Sequence, residues 1–268
     1  MNDGGIWAEF TIRASATAFV VIFIAWMAVR VGPAMGGILV GLPIVLAPGF
    51  YFLLRDYNAE FVSQAAAGAL FSLSATQVFL AAYVATSRKG ALVAILCSVL
   101  AWAVVAIPLS LLSHDPLLGG LLFLLMTYAM HFLGRRLLSP AATKMAGINW
   151  NLLFARGVAA GLLVGVVTLL AGTLGSSFAG LLMAFPVGFS VVALSLHLDH
   201  GAVAAAQTMQ AGIGGVPSLA VFTLALSLAL HMMPPDAAFL AALLLSCLAT
   251  ALFTVLARRK QRRPAPAR

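Results

Sequence analysis

The sequence has little charge. Only 8% of its 268 residues are Asp, Glu, Lys or Arg, whereas 63% are hydrophobic. Soluble domains carry about 25% charged residues, so this chain has too little polar surface to fold alone in water. That excludes a soluble enzyme, a nucleic-acid-binding domain and a disordered linker. The apolar runs continue over about 18 residues or more, which predicts an all-α protein whose helices span a membrane.

Cysteines and charges inside the apolar runs are also scarce. Cys97 and Cys247 both lie in apolar runs, so they predict no disulfide framework. All seven acidic residues lie at the ends of the predicted spans or between them. The sequence has no paired acidic motifs, no His-Glu-x-x-His and no glycine-rich phosphate loop after a soluble strand. It therefore predicts no enzyme, no cofactor and no metal site.

One short motif has side chains that bind metals. His197, Asp199 and His200 lie close together at the end of a predicted span, and imidazole and carboxylate groups suit several metals. We interpret the motif instead as a polar helix end, in which Asp199 or His200 caps the next helix.

Nine spanning helices are predicted. They cover about residues 14–31, 34–54, 61–86, 91–113, 117–134, 158–174, 178–197, 202–231 and 236–257. Asn58 is the expected N-cap of the third helix. With the N-terminus outside, 13 Lys and Arg residues fall on the inner face and two on the outer face. This bias predicts an external N-terminus, a cytoplasmic C-terminus and an odd number of spans.

The sequence repeats itself at an offset of 143 positions. The matched residues are Arg13 and Arg156, Gly32 and Gly175, Gly37 and Gly180, Pro43 and Pro186, Asp56 and Asp199, and Gln64 and Gln207. We interpret residues 1–113 and 158–257 as two four-helix repeats, joined by 114–157 and followed by a basic cytoplasmic tail at 258–268. Five spans separate equivalent positions, so the repeats must have inverted topology, as in many secondary transporters.

The repeat also contains candidate hinges and polar contacts. Glycine and proline in mid-span favour broken helices, at Gly37, Gly41, Pro43, Gly180, Pro186, Gly215 and Pro217. Hydroxyl and amide side chains at similar depth are the candidate substrate contacts, namely Ser72, Ser74, Thr76, Gln77, Ser190 and Ser218. Kinks and ordinary helix packing are the structural alternative.

Two matched segments, 37–43 and 180–186, are followed by polar helix ends, at Asp56 and at Asp199 respectively. In these features the chain resembles a group of bacterial inner-membrane proteins with no assigned function. More broadly, it is similar to small secondary transporters built from two inverted halves. The resemblance implies a permease, and the absence of charge at mid-depth favours a small neutral, zwitterionic or mono-anionic solute. The alternative is a non-transporting scaffold or assembly protein. The expected partners are that solute and the lipid bilayer, without nucleic acid; a homo-oligomer is left open.

Overall fold

The structure is a computed structural model that describes residues 3–31, 43, 46–112, 115–137, 150, 154, 157–158, 161–162, 166, 170 and 173–261. Within these residues the chain is helical, with turns and no strand. We distinguish eight helices in the described part: α1 Asp3–Val31, α2 Ala47–Asp56, α3 Ala59–Thr86, α4 Ala91–Leu109, α5 Pro116–Leu137, α6 Ser176–Met183, α7 Val187–Ala229 and α8 Pro235–Gln261. The candidate hinges Gly37 and Gly41 lie outside the described residues.

Five helical segments are long and apolar enough to cross a membrane. They are Ala59–Lys89, Ala91–Leu109, Pro116–Leu133, Ser176–Ala229 and Pro235–Phe253. Large apolar side chains cover the outside of α4 and α8 at a spacing of four residues, and each is more than half exposed: Leu92, Leu96, Leu100, Val104, Leu240, Leu244, Leu248 and Leu252. A surface of this kind belongs in lipid. The protein is therefore all-helical and embedded in a membrane.

Helix α3 lies at the centre of the bundle. It packs against α4, α5, α6 and α7, and nearly all of its length is buried. Its buried face includes several polar side chains, namely Ser63, Ser72, Ser74, Thr76 and Gln77. Polar groups inside and leucines outside are expected where the solvent is hydrocarbon, because hydroxyls and amides then need partners within the protein.

Two local signals fix helix ends. Asn58 accepts a hydrogen bond from the Phe61 backbone N–H through Oδ1 at 2.9 Å, which confirms it as the N-cap of α3. Gly201, inside α7, has φ 85° and ψ 171°, a backbone that side chains with a Cβ rarely adopt. This kink lies between the predicted seventh and eighth spans. We call the two ends of the bundle the Asn58 end and the Gly201 end.

Several helix bounds differ from the predictions. Helix α1 begins at Asp3 rather than at 14. The predicted seventh span is two helices, since α6 ends at Met183 and α7 begins at Val187. Of the predicted second span, α2 provides only the last part, and residues 34–42 lie outside the described residues. The predicted sixth span is described at isolated positions only.

The prediction of a break at Gly215 and Pro217 is wrong. Helix α7 passes through both residues, and its only non-helical backbone is at Gly201. Pro217 has no N–H to donate to the carbonyl of Ile213, four residues earlier. Gln77 of α3 supplies a substitute, because its Nε2 donates to the Ile213 carbonyl oxygen at 3.3 Å. The helix therefore tolerates the proline without breaking.

Candidate functional site

The candidate site is the interruption between α6 and α7. The chain leaves helical geometry at Ala184, and α7 restarts after Pro186, which has φ −75° and ψ 47°. No side chain caps the new N-terminus. Backbone hydrogen bonds hold the turn, among them one from the Val187 N–H to the Phe185 carbonyl at 2.7 Å and one from the Phe185 N–H to the Leu182 carbonyl at 3.1 Å. The first N–H groups of α7 therefore have no intrahelical partners.

A small cavity lies against this interruption. Its volume is about 40 Å³, enough for a water molecule. The lining comes from helices α3, α6 and α7, from the interruption itself and from the N-cap of α2: Leu46, Leu73, Thr76, Met183, Ala184, Phe185, Pro186, Gly188, Phe189 and Leu219. None of these side chains is charged.

A second helix begins at the same cavity. Leu46 is the N-cap of α2, and again no side chain caps this terminus. The Pro43 carbonyl accepts from the backbone N–H groups of Leu46 at 3.0 Å and Ala47 at 2.6 Å. Gly49, in the first turn of α2, contacts the thioether of Met183 so closely that a Cβ there would overlap it. The N-termini of α2 and α7 thus meet at one cavity, and each has a partial positive charge.

Among the predicted polar contacts, Thr76 is the one that lines this cavity. Its hydroxyl donates to the Ser72 carbonyl at 3.0 Å and lies 3.5 Å from the Ala184 carbonyl oxygen. Ser72 lies one turn away and donates to the Leu181 carbonyl at 2.9 Å. These two hydroxyls fasten the C-terminal end of α6 to α3.

Ser190 is close to the cavity, and Gly180 is close to Ser72. Ser190, in the first turn of α7, is half-buried and donates to the Pro186 carbonyl at 2.9 Å. Gly180 is buried where α6 crosses α3. Pro186 is part of the interruption itself, and the Pro43 carbonyl accepts a hydrogen bond from Leu46 of the cavity lining.

The other predicted contacts lie elsewhere. Gln77 donates to Thr127 Oγ1 at 2.9 Å as well as to the Ile213 carbonyl, so it faces α5 and α7. Ser218 donates to the Gly215 carbonyl at 2.8 Å. Ser74 donates to the Leu70 carbonyl at 3.0 Å and lines a separate apolar groove between α4 and α5. The six candidate contacts therefore do not converge on one site.

The structure contains two polar clusters that the sequence does not predict. At the Gly201 end, the hydroxyl oxygen of Tyr83 lies 2.9 Å from His197 Nδ1. At the Asn58 end, Ser63 contacts both Ser227 and His231, 164 and 168 residues further along the chain. The partners are so far apart in sequence that no local motif indicates them. Within the described residues no group of three or more His, Cys, Asp and Glu side chains is arranged to hold a metal.

Comparison with known proteins adds no relative to this description. The chain matches no family model, no curated protein and no solved structure.

Proposed function

We propose that the chain is a secondary transporter of the bacterial inner membrane, with nine spans in two inverted repeats. In this proposal it moves a small neutral, zwitterionic or mono-anionic solute by alternating access, and the solute binds at the cavity between α2, α3, α6 and α7. The present cavity is too small for most solutes, so binding requires the interrupted helix to move.

The main support for the proposal is that the cavity is lined by pairs of residues that are equivalent in the repeat. Leu46 and Phe189 both line it, and their numbers differ by 143. Thr76 and Leu219 also line it and also differ by 143. In the proposed inverted repeat, a cavity lined by residues and their own repeat equivalents would lie at the pseudo-symmetry axis. Inverted-repeat transporters bind substrate at that position, where the two halves meet.

Helix positions support the same repeat. The range of α3, Ala59–Thr86, shifted by 143 becomes 202–229, which is the part of α7 that follows the Gly201 kink. Gly161 and Ala18 are another equivalent pair, and they pack together so closely that a Cβ at 161 would clash with Ala18. Contact between equivalent residues is expected only near the axis that relates the two halves.

The electrostatics of the cavity support the solute class. No cationic or anionic side chain lines the cavity, and a full charge at mid-membrane costs about 2.5 kcal/mol or more without a partner. Two helix N-termini supply roughly half a positive charge each, and Thr76 supplies a hydroxyl. These groups suit a carboxylate or another single negative charge, or a neutral polar solute.

Transport in proteoliposomes tests the proposal. Candidate solutes of different charge are offered with and without ion gradients, to the parent and to Thr76→Val, which removes the cavity hydroxyl and keeps the side-chain shape. We expect uptake by the parent and at least a tenfold loss in Thr76→Val. The control is Ser74→Ala, a buried hydroxyl on the same helix but in another groove, and it should retain transport. Uptake confined to polycations would contradict the proposed site, and a folded protein without any transport would favour the scaffold.

A further inference from the structure

An apolar groove runs along the outside of the bundle between α5 and α8. Both helices pack against α7, and α7 forms the floor of the groove together with Leu70 of α3. The groove has a volume of about 380 Å³, and every residue that lines it is apolar. It is separate from the cavity at the interruption, because the two share no lining residue.

The groove opens towards lipid. Leu117, Leu121 and Leu124 form its edge on α5, and each of these side chains is more than half exposed. On α8, the exposed Leu252 directly precedes Phe253, which lines the groove on that side. Edges as apolar as these lie in hydrocarbon rather than in water, so the molecules that reach the groove are those of the bilayer. A hydrocarbon chain is therefore the occupant that matches its chemistry.

Gly214 lies where the groove faces the Gly201 end. It precedes Pro217 of the groove lining by about one turn, so the two residues share one side of α7. Gly214 is exposed, and among the described residues a Cβ there would have no neighbour within 4 Å. Glycine inside a helix is less favourable than alanine, and one of its uses is to let a ligand approach the backbone closely. No packing in the described part of the chain requires glycine here, so the missing side chain leaves room for another molecule.

The two walls of the groove carry opposite charges at their two ends. Helices α5 and α8 both run from the Asn58 end to the Gly201 end. Asp115 caps the start of α5, and Asp236 lies in the first turn of α8. The last turns of the same helices contain five basic residues, namely Arg135, Arg136, Arg258, Arg259 and Lys260. A molecule with an anionic head and an apolar chain therefore fits with its head at the Gly201 end, where the described part of the chain has one acidic residue, Asp199.

The basic ends and the groove lie within the length of one lipid. Arg258 follows Phe253 by five residues, and five residues extend about 8 Å along a helix. One leaflet of the hydrocarbon core is about 15 Å thick. A chain whose phosphate lies beside Arg258 therefore passes Phe253 and Gly214 and ends on the groove floor near Pro217.

We propose that this groove binds an anionic phospholipid, with one acyl chain on the groove floor and the phosphate beside the basic ends of α5 and α8. Burial of the chain favours any lipid, and the basic residues select a lipid with a negative head. The proposal goes beyond the function proposed above, because it requires the membrane location and not transport.

Native mass spectrometry tests this proposal. The purified full chain is equilibrated in detergent with equal amounts of phosphatidylglycerol, which is anionic, and phosphatidylethanolamine, which is zwitterionic, with identical acyl chains. We expect one retained phosphatidylglycerol per chain, in at least fivefold excess over phosphatidylethanolamine. A photoactivatable phosphatidylglycerol, with a diazirine near the end of one acyl chain, should crosslink to residues 217–221 of α7.

Filling the groove should remove the lipid whatever its head. Gly214→Trp places a ring in the open space beside the helix and should reduce the retained lipid at least fivefold. Gly214→Leu serves if the tryptophan variant does not fold. The matched control is Gly214→Ala, which leaves most of the space open and should retain lipid like the parent.

Neutralising the basic end should remove the selection and leave the chain site in place. Replacing Arg258, Arg259 and Lys260 together by glutamine should bring the ratio of the two lipids close to one, while crosslinking stays at 217–221. The control is the double variant Arg88→Gln and Lys89→Gln. These two residues are exposed at the same end, in the turn between α3 and α4 and away from the groove, so the parent ratio should persist.

Several results would overturn the proposal. They are equal retention of the two lipids by the parent, unchanged lipid in the folded Gly214 variants that fill the groove, a preference that survives loss of the three cations of α8, and crosslinks confined to the outside of α4. A parent dimer that retains no lipid and dissociates in Gly214→Trp would also do so, because a second copy would then occupy the groove. None of these results depends on transport activity, so failure of this proposal is distinguishable from failure of the proposed function.

Discussion

Gly180 lies against the backbone of Ala65. A Cβ at position 180 would overlap the Ala65 carbonyl oxygen and would come within 2.9 Å of the Ala69 nitrogen. Backbone atoms in the middle of a packed helix cannot move aside as a flexible side chain can. The absence of a side chain at Gly180 therefore sets how closely α6 approaches α3, and with it the position of the cavity at the end of α6.

Gly180→Ala should destabilise the protein through this contact. Inserting one methyl group into a well-packed interior costs about 1–3 kcal/mol, and a backbone obstacle favours the upper end of that range. We expect both a lower melting temperature in detergent and a lower yield of monodisperse protein. The matched control is Gly214→Ala on α7, where a Cβ would have no neighbour within 4 Å. This control should melt at or slightly above the parent temperature, since alanine favours helix. Equal losses in the two variants would show that close packing at Gly180 is not the cause.

Gln77 has a role that its sequence position did not indicate. The sequence predicted it as a contact for a solute, and the structure has it hydrogen-bonded to the Ile213 carbonyl, which Pro217 leaves without a donor. A proline in a spanning helix predicts a break unless another group satisfies the freed carbonyl. That group lies 136 residues away on α3, so the sequence near Pro217 does not contain the information.

Gln77→Leu should therefore destabilise the protein, and Pro217 should determine by how much. Hydrogen bonds inside membrane proteins contribute about 0.6–2 kcal/mol each, and Gln77 makes one to Thr127 as well. In a Pro217→Ala background the helix recovers its own N–H donor, so Gln77→Leu should cost less there. The difference between the two costs is the coupling energy, measured by thermal unfolding of the four proteins in one detergent.

The coupling has a direct control and a clear contrary result. Thr127→Val removes the second Gln77 contact and should give a similar loss with or without Pro217, because it does not involve the Ile213 carbonyl. A Gln77→Leu cost that is the same in both backgrounds would contradict the compensating role of Gln77.

The sequence predicts features that depend on neighbouring residues, and it does not predict features that depend on contacts between helices. The spans depend on continuous apolar runs and on local caps, so Asn58 was predicted as the N-cap of α3, and the kink at Gly201 lies where two predicted spans were separated. The site depends on contacts between helices. Ser72, Ser74 and Thr76 are close neighbours on α3, yet Ser72 reaches α6, Thr76 lines the cavity and Ser74 faces a different groove. Which direction each side chain faces depends on the packing of α3, which a single sequence does not specify.

The orientation of the chain gives a prediction that needs no purified protein. The bias of 13 basic residues to two predicts a cytoplasmic C-terminus and an external N-terminus. A C-terminal fusion to a reporter that is active only in the periplasm should be inactive, and the same reporter at the N-terminus should be active. Termini on the same side would contradict the odd number of spans and the inverted repeat with it.

The two ion pairs at the Asn58 end give a final prediction, because they have equal length and unequal burial. Arg13 pairs with Asp56 and Arg55 pairs with Asp236, both at 2.7 Å. The side chain of Arg13 is 9% exposed and also lies over the Phe52 ring, whereas the Asp236 side chain is 71% exposed. Asp56→Asn removes the carboxylate that pairs with this buried guanidinium, so we expect a loss of about 1–3 kcal/mol and a lower melting temperature. Asp236→Asn should leave the melting temperature unchanged, because exposed pairs contribute little.

Added salt should not restore the melting temperature of Asp56→Asn, since screening by ions acts weakly on a buried charge. Equal effects of the two substitutions would contradict burial as the reason that the Arg13–Asp56 pair joins α1 to α2.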